Sequence, residues 1–292
     1  MRALVAPGQG AQKPGMLRPW LPEAAPLLER WSEITQVDLI AAGTVWPAEA
    51  VRATEHAQPL LTAAALLSYQ AVDQPFDLVA GHSVGEFAAA AIAGVISADD
   101  AMRAVAARGR AMAACAEAGA PSGLAAVVGG SPDAVVAAIS AAGAAVANCN
   151  GPGQIVAGGT LAALDRLAAA PPPRTRVVRL DVAGAFHTAL MAPAEHVLRS
   201  TMRDMAIADA AVPLVSNRDG LALTSGRLIA EAIIGQVAKP VRWDLVLERF
   251  QAHGIVHHLE LAPAGVLTGL ARRGLADAVL EQAPSAAESL SP

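Results

Sequence analysis

Asp77-Leu-Val-Ala-Gly-His-Ser83-Val-Gly-Glu-Phe87 is the stretch on which the reading of this chain turns. An apolar run at 78–80 enters a Gly-x-Ser-x-Gly turn, and an alanine-rich, helix-favouring run at 84–94 leaves it. Strand, sharp turn and helix in that order form a nucleophile elbow, which lifts one serine hydroxyl out of the sheet. Gly81 and Gly85 are required because a side chain at either would strike the neighbouring strand or helix. The helix that follows aims its free N–H groups at the serine oxygen and favours negative charge there.

Outward from the elbow, strand-like runs alternate with helical ones. A strand is expected at 3–6, a helix at about 62–70, the elbow strand at 77–80 and the elbow helix after Ser83. A further helix is expected at 99–114, with Ser97 as N-cap and Ala101, Met102, Val105 and Met112 on its apolar face. This alternation predicts an α/β fold, a mostly parallel sheet covered by helices with an α/β-hydrolase-like core. At Ala120-Pro-Ser-Gly123 the elements become shorter. Strand 124–128, helix 132–142, strands 144–148 and 154–158, helix 161–170 and strand 176–180 give the order βαββαβ of a ferredoxin-like unit. The expected organisation is a large domain at 1–121 and 184–292, with a small ferredoxin-like subdomain inserted at 122–183. Beyond Phe186 we expect long helices and one apolar strand at 255–261, then an Ala/Ser/Pro-rich tail that frays from about Gln282.

Composition narrows the class. The chain of 292 residues is 54% hydrophobic, yet no uncharged apolar run reaches the ~18–20 residues of a membrane span. The first ten residues resemble a strand entering a glycine turn and not a signal peptide, so a cytoplasmic protein is expected. Cys115 and Cys149 lie in unrelated surroundings and suggest neither a disulfide framework nor a metal site. A net charge of −5, with no long basic run and few aromatics, argues against nucleic acid as a partner.

A serine nucleophile needs a base. Of the seven histidines, His82 adjoins Ser83 but points elsewhere in a tight turn, which it more naturally supports. His56, His196, His253, His257 and His258 sit on helical or strand-edge segments, where a surface or packed role is the default. His187 stands in a glycine-containing loop between a strand and a helix, the kind of junction that carries function. Asp181 is the nearest acid to it but ends a strand, and a backbone carbonyl could orient the imidazole equally well. Gly8-Gln9-Gly10 permits a close backbone approach after the first strand; it does not continue into a dinucleotide fingerprint, because Lys13 holds the last glycine's place.

Seven motifs in register resemble one family over about residues 1–275. They are Pro7-Gly-Gln9-Gly-Ala-Gln12, Gly81-His-Ser83-Val-Gly-Glu86, Ala107-Arg108-Gly109, Asn148-Cys-Asn150-Gly-Pro-Gly-Gln154, Gly184-Ala-Phe-His187, Lys239-Pro-Val-Arg-Trp243 and Ala262-Pro-Ala-Gly265-Val-Leu-Thr-Gly269. Together they resemble the malonyl-CoA:acyl carrier protein transacylases, acyltransferases of fatty acid and polyketide synthesis.

The resemblance implies a ping-pong transfer of malonyl from coenzyme A, through malonyl-Ser83, to the phosphopantetheine thiol of acyl carrier protein in type II fatty acid biosynthesis. It implies His187 as base, oriented by the backbone carbonyl of Gln236, and an oxyanion hole from the N–H groups of Gln9 and Val84. Arg108 would read the malonyl carboxylate through a bidentate fork, and Asn148 and Asn150 would lie near the substrate channel. Many members carry serine or proline around the histidine where this chain has Ala185, Phe186 and Thr188. Phenylalanine before the histidine goes with malonyl over methylmalonyl, since a ring leaves no room for a branch; one methyl is worth only about 1–3 kcal/mol. The implied partners are the carrier protein and a coenzyme A thioester, with no cofactor, no metal and a monomeric chain. The competing readings are a serine thioesterase or esterase on the same elbow, and a polyketide-pathway acyltransferase.

Overall fold

A computed structural model describes residues 1–283; the tail expected to fray lies almost wholly outside the described residues. The chain begins with strand β1 (Arg2–Ala6), helices α1 (Ala25–Thr35), α2 (Leu39–Thr44), α3 (Ala48–Arg52) and α4 (Thr54–Tyr69), strand β2 (Leu78–Gly81), and helices α5 (Gly85–Ile92) and α6 (Ala98–Ala118). Next come β3 (Ser122–Gly129), α7 (Pro132–Ala141), β4 (Ala145–Cys149), β5 (Gln154–Thr160), α8 (Leu161–Ala169) and β6 (Thr175–Arg179). The last stretch holds α9 (Ala192–Met202), β7 (Leu214–Val215), β8 (Ala222–Leu223), α10 (Gly226–Gly235), β9 (Val241–Arg242), α11 (Trp243–Ala252), β10 (His257–Glu260), α12 (Val266–Gly274) and β11 (Val279–Gln282).

The larger sheet runs β11-β10-β1-β2-β7-β8 and is parallel except for the β7/β8 pair. Its centre is apolar throughout because both faces are covered. Along β1, Leu4 and Ala6 enter the core beneath α4, α5 and α6, while Ala3 and Val5 enter a second core against α11 and α12. Val79 of β2 takes the first side, and Leu78 and Ala80 take the second. The smaller sheet runs β6-β3-β5-β4, all antiparallel, which is the ferredoxin-like order, with β9 added parallel to β4. Ala125 and Val127 pack under α7 and α8; Leu124 and Ala126, on the opposite face, join the main core. Among the described residues no helix is long and apolar enough to cross a membrane.

Two helices are longer than expected. α4 starts eight residues before 62 and holds Pro59 in its second turn, where the ring removes one backbone bond only. α6 runs a turn beyond 114, and Ser97 caps it by accepting from Asp100 N–H at 3.0 Å. Beyond Phe186 the expectation of a single strand is corrected. β10 is joined by β7, β8, β9 and β11. Three of these are two residues long, too short for alternation to register.

His258 of β10 is fully buried, and neither ring nitrogen has a hydrogen-bond partner. Its ring stands edge-on to Phe250, 6.4 Å between centroids, and burial pulls it down to about 4. A histidine held neutral in the fold contributes stability that is present above pH ~6.5 and is lost as the pH falls through its folded value. His258→Leu therefore flattens the acid fall-off between pH 6.5 and 4 by up to about 1.4 kcal/mol per pH unit. Denaturant titrations at a series of pH values measure this slope, and an unchanged slope contradicts a buried neutral imidazole.

Candidate active site

The elbow is set by steric exclusion. A Cβ on Gly81 would lie 2.0 Å from the Gly85 carbonyl carbon, and one on Gly85 would lie 2.3 Å from the Ala6 carbonyl oxygen. Strand β2 can turn into α5 this tightly only without those atoms. Ser83 then takes a left-handed backbone, φ 54°, and His187 does the same at φ 60°. Non-glycine residues rarely adopt this conformation; besides these two, only Gln36 and Arg174, both away from the cleft, do so among the described residues.

Ser83 Oγ lies 2.7 Å from His187 Nε2, and His187 Nδ1 lies 2.8 Å from the Gln236 carbonyl oxygen. A carbonyl only accepts, so Nδ1 carries the proton of the neutral ring and Nε2 presents its lone pair to the serine O–H. Burial, and next the Arg108 charge, pull His187 down to about 3, so the ring is neutral across the ordinary pH range. Asp181 takes no part: it forms an ion pair with Arg52 at the rim of the cleft. His82 is engaged elsewhere. Its Nε2 donates to Asn150 Oδ1 at 3.0 Å, and its ring packs on Trp243.

Arg108 arrives from α6, whose buried stripe runs through Ala101, Val105, Arg108 and Met112. It is 1% exposed. One Nη donates to Gln58 Oε1 at 2.8 Å; the other donates to Ser83 Oγ at 3.1 Å and to Gln236 Oε1 at 3.0 Å. Its Nε has no partner, and its ζ-carbon stands 5.9 Å from the centre of the Phe87 ring. Every hydrogen-bond partner it has is uncharged. Burial brings it down to about 10, and the charge of Glu86 opposes that fall.

A cleft of about 380 Å³ opens over Ser83, His187 and Arg108. Gln9, Asn148, Asn150 and Phe186 line it, so every side-chain position expected near the substrate faces the same space. Phe186 is buried and lines the cleft together with Met112 and Leu124. The backbone N–H groups of Gln9 and Val84 donate to no acceptor among the described residues. A larger cleft of about 800 Å³ lies between the 151–153 turn and α11, but it contains neither Ser83 nor His187, so the chemistry assigns the site to the smaller one.

Three parts of the site escaped sequence reasoning. Gln58 was hidden in an apolar helix. The Gln236 side chain donates to Ser83 O at 3.0 Å and to Glu86 Oε2 at 2.6 Å, beyond the role given to its backbone. Asn217 Oδ1 accepts the Ser83 N–H at 2.8 Å while its Nδ2 donates to Gly81 O at 2.7 Å, which clamps the elbow. The signal for Asn217 was its place, just after the carboxyl end of a parallel strand, where open α/β sheets build their sites.

A serine activated by a carbonyl-oriented histidine, with free N–H groups at an elbow, defines an acyl-transferring enzyme. The acyl transferase domain family matches residues 3–289. The malonyl CoA-acyl carrier protein transacylase of Mycobacterium tuberculosis is 45% identical over 284 residues, 94% of this chain and 93% of that protein. The crystal structure of MCAT from the same organism superposes with a TM-score of 0.94 at 42% identity, covering 99% of both chains. A type II PKS acyl-carrier protein in complex with its malonyl-transacylase gives a TM-score of 0.89 at 30% identity, covering 99% of this chain and 97% of that one. The chain belongs to the acyl transferase domain family, among its malonyl CoA-acyl carrier protein transacylases.

Proposed function

We propose that this enzyme moves a malonyl group from malonyl-CoA to the phosphopantetheine thiol of acyl carrier protein, with Ser83 carrying it between the two thiols. The observation that bears most weight is Arg108, a buried cation with uncharged partners beside the serine oxygen. A carboxylate there gains a charge-assisted fork, and a plain fatty acyl chain gains nothing. Nη2 lies 3.1 Å from Ser83 Oγ, so the carboxylate has to sit close to the ester carbonyl, as it does in a three-carbon diacid.

In the first half-reaction Ser83 Oγ attacks the thioester carbon as its proton passes to His187 Nε2. The oxyanion is held by Gln9 and Val84 N–H. As the intermediate collapses the C–S bond breaks, and the coenzyme A sulfur takes the proton from His187. The carrier thiol then runs the same steps in reverse. An acyl carboxylate on Arg108 offsets a positive charge that depresses His187, so the correct substrate makes a better base. Protons and charge balance within these residues, so we assign no cofactor or metal.

We read residues 122–183 as a subdomain inserted between 1–121 and 184–292, placing Asn148 and Asn150 over the serine. We read the enzyme as a cytoplasmic monomer. Arg272 and Arg273 are exposed at the end of α12, whose first turns line the cleft, and we assign them to docking of the acidic carrier.

Ser83→Ala forms no malonyl adduct by intact mass after incubation with malonyl-CoA; an adduct at full stoichiometry rejects Ser83 as nucleophile. In the native enzyme a stable adduct is the expected result, and continuous release of coenzyme A would instead mark a hydrolase. Arg108→Ala loses malonyl transfer by about 100-fold more than acetyl transfer, the size expected for a buried charged hydrogen bond. Equal losses mean that the arginine does not read the carboxylate. Charge reversal at Arg272 and Arg273 raises the KM for carrier protein at low salt and leaves that for malonyl-CoA in place; no change removes the docking assignment.

A further inference from the structure

Glu86 follows the elbow on α5. It is fully buried, and the reaction steps above leave it unused. Both its oxygens accept. Oε1 takes the backbone N–H of Asn217 at 2.8 Å, and Oε2 takes the side-chain amide of Gln236 at 2.6 Å. Each partner continues into the site. Asn217 holds the Ser83 N–H and the Gly81 carbonyl, while Gln236 presents its side-chain oxygen to Arg108 and its backbone carbonyl to His187.

The carboxylate also settles a choice. A side-chain amide can be turned over, exchanging its NH2 and its oxygen. Because Glu86 accepts only, the NH2 of Gln236 faces it and the oxygen is left for Arg108. Reversed, the amide would set donors against the guanidinium, and a carboxylate against a carbonyl.

We propose that Glu86 is the positioning residue of this site: its carboxylate fixes Gln236 and Asn217, and through them aligns His187 with Ser83 and holds Arg108 ready for an acyl carboxylate. The proposal rests on the reading of Ser83 and His187 as nucleophile and base. Its chemistry makes it sensitive to protonation. A protonated Glu86 has an O–H to donate, yet both neighbours it meets are donors, so one contact is lost. Burial raises this group to about 7; Arg108 of α6 opposes that rise, and Asp219, from the loop after β7, adds to it. The anion that organises the site is therefore present above about pH 7 and lost below it. His187, held near 3, contributes no limb in that range.

The test is the single-turnover rate of Ser83 malonylation from pH 5.5 to 8.5 in the native enzyme and in Glu86→Gln, with Ser83 inactivation by phenylmethanesulfonyl fluoride measured alongside. The native rates climb through about pH 7 to a plateau for both reagents. Glu86→Gln keeps the shape of the side chain but places an NH2 against a donor. Its plateau falls by about 100-fold, the cost of a misplaced reacting pair, and its profile is flat. A variant that keeps the native rate overturns the proposal, and a flat native profile overturns its pH sensitivity. The Ser83→Ala adduct measurement separates this outcome from failure of the underlying assignment, since an adduct there removes the nucleophile whatever Glu86 does.

Discussion

A guanidinium buried without a charged hydrogen-bond partner is the constraint around which this site is arranged. Desolvating a cation costs several kcal/mol, and amide oxygens return only part of that. The surroundings of Arg108 are accordingly chosen for it: oxygens of Gln58 and Gln236, the hydroxyl of Ser83, the face of Phe87, and Glu86 one amide away. The arrangement sets a guanidinium with uncharged hydrogen-bond partners beside Ser83 Oγ. On the function proposed above, the acyl carboxylate supplies the charged partner, so selectivity rests on electrostatics and not on shape alone.

Positioning comes from the parallel sheet. Gln9 follows β1, Ser83 follows β2 and Asn217 follows β7, so three neighbouring strands deliver the proposed oxyanion donor, the proposed nucleophile and its clamp to one edge. The two groups that cannot come from strands arrive otherwise. Arg108 rides the buried stripe of a long capped helix, and His187 is carried by the chain as it leaves the smaller sheet.

The parts legible in the sequence were those with a local signature. Gly81 and Gly85 announce a collision that the structure bears out, and the apolar runs at β1 and β2 announce a sheet covered on both faces. The βαββαβ order was readable from spacing, and the family resemblance supplied Arg108 and the Gln236 carbonyl. The parts missed depend on contacts between distant segments. Gln58 meets Arg108 across 50 residues, and Gln236 meets Glu86 across 150. No period or motif encodes such meetings. Strands β7, β8 and β9 failed for a different reason: two residues cannot show an alternation, and their partners alone make them strands.

Strand β9 has a mechanical meaning. Arg242 pairs with Cys149 on the edge of the smaller sheet, and its backbone N–H also donates to the Asn217 carbonyl at 2.7 Å. The roof of the cleft is thereby stitched to the residue that grips the nucleophile turn. A shift of the smaller sheet is therefore passed through two backbone contacts to Asn217, and from there to the Ser83 N–H.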